Sequence, residues 1–356
     1  MRIEDIDPNF KFDTVKEEDI EWISALDERL SLYGVYYDEE ERSFVRMPRS
    51  VSSQVNEGVE NLALRASGGR LRFVTDSPYI AIRSVNKNNG VAPYFTILSN
   101  YGYSLYNEDA YMAMIAPQLD VLKNGGEDIA YEGIKRFGAI RRQYTVCFPP
   151  YGQVRALYIG IRKGSILKKP KPYKNENAPV VFYGSSITMG GCTTRPGCDY
   201  TAMCCRDLKL HYLNFGFSGQ CRGELVLADY FATLPISVFV YDYDHNAKNA
   251  EFLSETHERF FLRLRELRPD LPIVLVSRPT LTSQWRERRE VIRTTYERAI
   301  ERGDEHVYFV DGSTFFPKDV RPYATVDEVH PNDLGFYYMA KKMKGVLRKI
   351  LAKKKS

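Results

Sequence analysis

From Pro179 to the C-terminus, short apolar runs alternate with longer amphipathic segments, and this rhythm restricts the chain more than any other feature. Pro179–Tyr183 reads PVVFY, a continuous apolar run expected of a strand buried on both faces of a parallel sheet. Further strands are expected at His211–Phe215, Ile236–Tyr243, Pro272–Arg278 and His306–Asp311. Helical patterns fall at Asp199–Leu208, Gly223–Leu234, Glu251–Leu267, Trp285–Glu301 and Asp333–Leu351. Strands alternating with helices imply an α/β fold in three layers, a parallel sheet between two layers of helices. Ligands of such sheets bind outside the carboxyl ends of the strands.

Residues 60–162 read differently. Runs rich in β-branched and aromatic residues occur at Arg70–Thr75, Tyr79–Val85, Tyr94–Leu98, Tyr111–Ile115, Ala139–Phe148 and Ala156–Arg162. Turn signals such as Asn86–Gly90 and Asn124–Glu127 separate them, with no helical pattern between, which predicts a β-sandwich. Glu17–Leu30 is expected to be a helix. The polar stretch KGSILKKPKPYKNENAP, with three prolines, reads as an extended linker. The chain thus divides into a sandwich domain over residues 1–165, a linker over 166–178 and an α/β domain over 179–356.

The 356 residues suffice for two domains, and an apolar fraction of 44% is that of a globular protein. Fifty basic against forty-six acidic residues leave a charge of +4, too small and too scattered to imply a nucleic-acid partner. The basic excess sits in Lys163–Lys174 and Lys341–Lys355, expected to be a solvated linker and a solvated helix end. The opening MRIEDIDPNFKFD lacks a basic segment followed by an apolar one, so no secretory signal is read there and a cytoplasmic location is expected. No run approaches the ~18 apolar residues of a membrane span. Cys147, Cys192, Cys198, Cys204, Cys205 and Cys221 show no zinc spacing and are expected to be reduced, buried thiols.

Four blocks carry candidate chemistry. Gly184-Ser185-Ser186-Ile187-Thr188 follows the first apolar strand, where a serine hydroxyl stands at the open edge of the sheet. A helix cap is the commoner use of such a serine. Asn214-Phe215-Gly216-Phe217-Ser218-Gly219 follows the next strand, and a glycine there lets a backbone N–H approach an anion. Tyr241-Asp242-Tyr243-Asp244-His245-Asn246 ends a third strand. Asn246 offers a side-chain amide to a developing oxyanion. Asp242 and Asp244 lack further ligands at metal spacing and are read as structural, and His245 as a hydrogen-bonded histidine. In Asp327-Glu328-Val329-His330, a carboxylate three residues before a histidine can hold one ring nitrogen while the other faces a serine. His211, His257 and His306 lie in strand or helix patterns and are read as structural.

Together the blocks resemble the SGNH/GDSL hydrolase superfamily, whose Ser, Gly, Asn and His correspond here to Ser186, Gly219, Asn246 and His330. Ser185 stands where many members have Asp. YGSSITMGGC with RPGCDY, VDEVHPNDLGF, RMPRSV and TDSPYIAIR resemble a two-domain branch in which a jelly-roll-like β-sandwich precedes the esterase domain. The branch often carries Gly-x-Asp-Leu-Tyr; the counterpart is Gly102-Tyr103-Ser104-Leu105-Tyr106, with Ser104 for Asp. The resemblance implies a flavodoxin-like C-terminal domain and a catalytic triad of Ser186, Asp327 and His330. It also implies an oxyanion hole of Ser186, Gly219 and Asn246, with no cofactor and no metal. The implied activity is removal of acetyl groups from carbohydrate, with an acetylated xylan or mannan oligosaccharide as partner and the sandwich as an accessory domain that is a candidate for carbohydrate binding. The 25 tyrosines could stack on sugars, although sandwich packing explains most of them. An acyltransferase using the same residues is the first alternative, and a short-chain lipid esterase the second. A non-catalytic binding protein is disfavoured by the complete set of blocks, and a Gly-x-Ser-x-Gly hydrolase by Thr188 in the last position.

Overall fold

The computed structural model describes Ile6, residues 13–124 and residues 126–353. Most of the N-terminal segment read for a secretory signal, Gly125 in the Asn124–Glu127 turn and the end of the C-terminal lysine run lie outside the described residues.

The N-terminal half contains β1 (Ile20–Ser24), β2 (Ser31–Tyr33), β3 (Tyr36–Asp38), β4 (Ser43–Val45), β5 (Arg70–Thr75) and β6 (Tyr79–Lys87). It continues with β7 (Tyr103–Asn107), β8 (Ala110–Ile115), β9 (Asp128–Arg136), β10 (Arg142–Cys147), β11 (Val154–Arg162) and β12 (Leu167–Lys168). One antiparallel sheet runs β1-β11-β6-β9 and a second β12-β5-β10-β7-β8, with β2 on β5. Ile82, Ile129 and Ile159 from the first sheet and Phe73, Leu105 and Val146 from the second share one apolar core. The sandwich predicted from the sequence is therefore present.

Three details differ from expectation. Glu17–Leu30 is not a helix: Ile20–Ser24 is an edge strand paired along Tyr158–Arg162, because burying Ile23 in the sandwich outweighs a modest helical pattern. Tyr94–Leu98 is not a strand. Thr96 accepts from the Ser99 N–H and caps a short helix at Ile97–Tyr101. Strands β2, β3, β4, β7 and β9 were not anticipated, nor was β12, which pairs with β5 inside the expected linker, although Ile129 and Tyr131 of β9 alternate with outward Ala130 and Glu132.

In the C-terminal half, β13 (Val180–Gly184), β14 (Tyr212–Gly216), β15 (Val238–Asp242), β16 (Ile273–Val276) and β17 (Val307–Val310) form a parallel sheet in the order β14-β13-β15-β16-β17. The period of two sorts side chains onto two faces. Val181, Tyr183, Phe239 and Tyr241 pack with the helices Leu225–Thr233, Ala250–Leu267 and Trp285–Glu301. Val180, Phe182, Val238 and Val240 pack with Tyr200–Leu208 and Asp333–Lys353. This is the three-layer α/β/α arrangement. The six cysteines are free and buried. Among the described residues no helix is long and apolar enough to cross a membrane.

The halves share packing. Met47, Val59 and Ala63 enter the core formed by Phe215, Phe217 and Leu227. Arg46, 4% exposed, donates to the carbonyls of Leu62 and Arg65 in its own half and of Asn214 and Gly216 in the other.

Candidate active site

The carboxyl end of β13 holds the first block. Gly184 must be glycine, since a Cβ there would lie 2.1 Å from Thr188 Oγ1 and 2.3 Å from the Asp242 carbonyl oxygen. That close approach seats the turn against the neighbouring strand. Ser185, not Ser186, caps the short helix Ser186–Met189, its Oγ accepting from the Ile187 N–H at 3.2 Å. The capping role that competes for Ser186 is thus already filled, and its hydroxyl is available elsewhere.

It meets His330. Ser186 Oγ lies 2.8 Å from His330 Nε2, and His330 Nδ1 lies 2.7 Å from Asp327 Oδ2. The loop carrying this pair is closed by an isolated bridge between Thr325 and Pro331 and by a 2.9 Å bond from the Val326 N–H to the His330 carbonyl. Asp327 Oδ1 accepts from the His330 and Val329 backbone N–H groups at 2.7 and 3.2 Å. Burial pushes the Asp327 carboxyl upward, but the His330 backbone and ring bonds, the His330 charge and the Val329 N–H outweigh it and hold it below the ordinary range. Asn332 anchors the loop by donating to the Tyr323 carbonyl at 2.7 Å, while its Oδ1 accepts from the Leu334 and Gly335 N–H groups opening the last helix.

The Gly and Asn blocks meet as well. Gly219 adopts φ +71°, in the left-handed region, and faces open space. Asn246 Nδ2 donates to the Phe217 carbonyl at 2.9 Å, which ties it to the turn that carries Gly219. An amide nitrogen has two N–H groups, so a second donor remains.

The two aspartates of the third block are structural. Asp242 accepts from Tyr200 at 2.8 Å and Thr188 at 3.1 Å, and burial pushes its carboxyl up to about 7. Asp244 pairs with Arg278 at 3.2 Å and Arg288 at 3.1 Å. His245 is not the hydrogen-bonded histidine expected: its buried Nε2 has no partner. Burial first, then the charges of Arg278 and His330, hold its ring neutral well below the usual histidine range. His257 fits expectation, with Nδ1 2.9 Å from Thr295 Oγ1.

Sequence reasoning missed one neighbour of the site. A Cβ at Gly191 would lie 2.9 Å from the Tyr151 hydroxyl and 3.4 Å from His330 Cδ2, so a tyrosine of the N-terminal half flanks the histidine. Tyr151 packs on Phe95, ring centroids 4.3 Å apart. Nothing local in FPPYG distinguishes this tyrosine; only the non-local docking of the halves brings it here.

A hydrogen-bonded Ser-His-Asp series at the carboxyl edge of a parallel sheet, with backbone and amide donors on adjoining turns, defines a class of α/β proteins built for acyl transfer chemistry. Two family profiles narrow the class: the GDSL-like Lipase/Acylhydrolase family matches residues 177–348, and the N-terminus of SGNH-hydrolase-type esterases, named for its GxDLY motif, matches residues 20–167. The chain belongs to the SGNH/GDSL hydrolase superfamily, in its branch with an N-terminal β-sandwich, a family of esterases and acyltransferases. Within the GxDLY motif, Ser104 replaces the aspartate and is fully buried, its hydroxyl without a hydrogen-bond partner.

Solved structures agree in fold. A GDSL-like lipase described from Bacteroides ovatus is 25% identical, with a TM-score of 0.81 over 94% of this chain and 98% of its own. A salicylyl-acyltransferase, SsfX3, from a tetracycline biosynthetic pathway is 18% identical, with a TM-score of 0.76 over 92% and 96%. A family two carbohydrate esterase from Cellvibrio japonicus is 13% identical, with a TM-score of 0.62 over 94% and 98%. No curated protein sequence matches the chain.

Proposed function

We propose that the protein is a serine esterase that removes O-acetyl groups from carbohydrate, with hemicellulose-derived oligosaccharides of xylan or mannan as the substrate class. The observation that carries this reading is the unbroken series from Ser186 Oγ to His330 Nε2 at 2.8 Å and from His330 Nδ1 to Asp327 Oδ2 at 2.7 Å. His330 takes the Ser186 proton as the hydroxyl attacks the ester carbonyl, while Asp327 holds the ring and balances its charge. The N–H groups of Ser186 and Gly219 and the free N–H of Asn246 hold the oxyanion. His330 then gives its proton to the sugar oxygen as the bond from that oxygen to the acyl carbon breaks. Water, deprotonated by the same ring, attacks the acyl-serine, releasing acetate and restoring the serine.

The carbohydrate esterase among the structural neighbours supports the sugar ester, and the salicylyl-acyltransferase, with the higher TM-score, favours a second reading in which an alcohol replaces water as acceptor. Acetate release from acetylated xylan, acetylated mannan and simple sugar acetates, with Ser186→Ala as control, tests the first. Acetate released by the parent and not by the variant is the expected result. Absence of release from every sugar ester, with acyl transfer to an added alcohol instead, favours the second.

A further inference from the structure

The amino end of the parallel sheet carries a site that acyl transfer does not use. Tyr212 opens β14 opposite Val180, at the other end of the strands from Ser186. Beside it lies a cavity of about 210 Å³ between the two halves, bounded by β5, β10, the β7–β8 turn, the linker and the helix Tyr200–Leu208. Arg70, Arg72, Lys171, Lys174, Arg206 and Lys209 line it, against only two carboxylates, Glu108 and Asp109. Glu108 is already engaged with Lys209 at 3.3 Å.

The two arginines of β5 are the unusual members. They are 3% and 5% exposed. Arg70 stacks on Tyr212 at 3.7 Å and Arg72 on Tyr173 at 4.0 Å. Arg70 Nη2 donates to the Tyr212 carbonyl, but Nε and Nη1 of both guanidinium groups are buried with no hydrogen-bond partner. Buried charge is normally paired, and ring stacking returns only part of what desolvation costs. Four further cations around the same cavity deepen the imbalance.

We propose that this cavity binds a phosphate-class oxyanion, either inorganic phosphate or the phosphate group of a small sugar ester. A single carboxylate carries one charge, whereas a phosphomonoester carries nearly two and presents three acceptor oxygens, a better match to stacked guanidinium groups and lysines. A cavity of about 210 Å³ has room for a phosphate with a compact organic group. Its place at the far end of the sheet makes it a site separate from Ser186.

Thermal unfolding and calorimetric titration of the full chain test this with inorganic phosphate, a hexose 6-phosphate and glucuronate, each against chloride at matched ionic strength. Phosphate or the hexose 6-phosphate at saturation is expected to raise Tm by about 2–4 °C. Which of the two binds more tightly tells free phosphate from an ester. Lys171→Gln/Lys174→Gln, at exposed positions that do not endanger folding, is expected to weaken binding about tenfold, and Arg72→Gln more. A Tm no higher than in chloride, an equal response from the lysine variant, or tighter binding of glucuronate than of either phosphate would overturn the proposal.

Discussion

The two ends of the parallel sheet use arginine in opposite ways. At the carboxyl end, Arg46 spends its N–H groups on four backbone carbonyls, two of them in β14 just before the Gly219 turn. Arg278 and Arg288 there share one carboxylate, Asp244. At the amino end, Arg70 and Arg72 lie against tyrosine rings with two nitrogens each unpaired. The first end pairs its arginines with carbonyls and a carboxylate, leaving only Arg288 Nε among these contacts unpartnered, and holds backbone in place for chemistry. The second is open and holds charge in reserve. Paired guanidinium groups fix geometry, whereas two stacked ones beside a basic cavity suit an anion.

The carboxyl end can be broken most severely at Ser186. Ser186→Ala is expected to lower kcat on an acetyl ester by more than about 10³ while leaving the melting temperature nearly unchanged. Parent-like turnover in that variant would remove the chemistry from this end of the sheet. Asn246→Ala is expected to cost about 10²–10³ in kcat with KM little altered, since it removes one oxyanion donor. Pre-steady-state acylation rates check it directly.

Arg46 sharpens the comparison, because it positions the Gly219 turn without reaching the reacting atoms. Arg46→Met is expected to reduce kcat about tenfold with KM close to the parent's, and to lower Tm by several degrees through the loss of its four hydrogen bonds to carbonyls of both halves. Arg46→Lys should restore a part of kcat. A loss of Tm with kcat intact would show that this arginine only joins the halves.

The last effect concerns pH and stability rather than turnover. The Asp242 carboxyl is raised to about 7 by burial, so the fold prefers its neutral form. That contribution is complete below the ordinary carboxylate value near 4 and is lost as pH rises through about 7. Asp242→Asn, which stays neutral, is expected to flatten the decline, gaining on the parent by on the order of 3–4 kcal/mol between pH 4 and pH 8. Denaturant unfolding at both pH values measures it, and parallel curves would place the charge of Asp242 in a better-solvated setting.

The C-terminal half was legible because its signals are local. Continuous apolar runs such as VVFY and amphipathic stretches such as Ala250–Leu267 declare strand and helix within one window, and each candidate block sits at a strand end by connectivity alone. Ser186, His330 and Asp327 could be paired because two of them share one loop. The N-terminal half was less legible because sandwich pairing is non-local. Ile20–Ser24 becomes a strand only against Tyr158–Arg162, far along the chain. The polar face of Asp128–Arg136 diluted its alternation. Tyr151 and Arg46 were unreadable as neighbours of the site, since each acts across the junction of the halves.

That junction has a consequence for how the molecule can be taken apart. Met47, Val59 and Ala63 complete the apolar face beneath Phe215 and Phe217, so residues from 179 onward, expressed by themselves, would present a raw oily patch where those three side chains had been. The N-terminal half is therefore no detachable cassette to be trimmed or transplanted. Any chimera that exchanges it must carry a matching Arg46 clamp and the same three plugs, or inherit a sticky and misaligned partner.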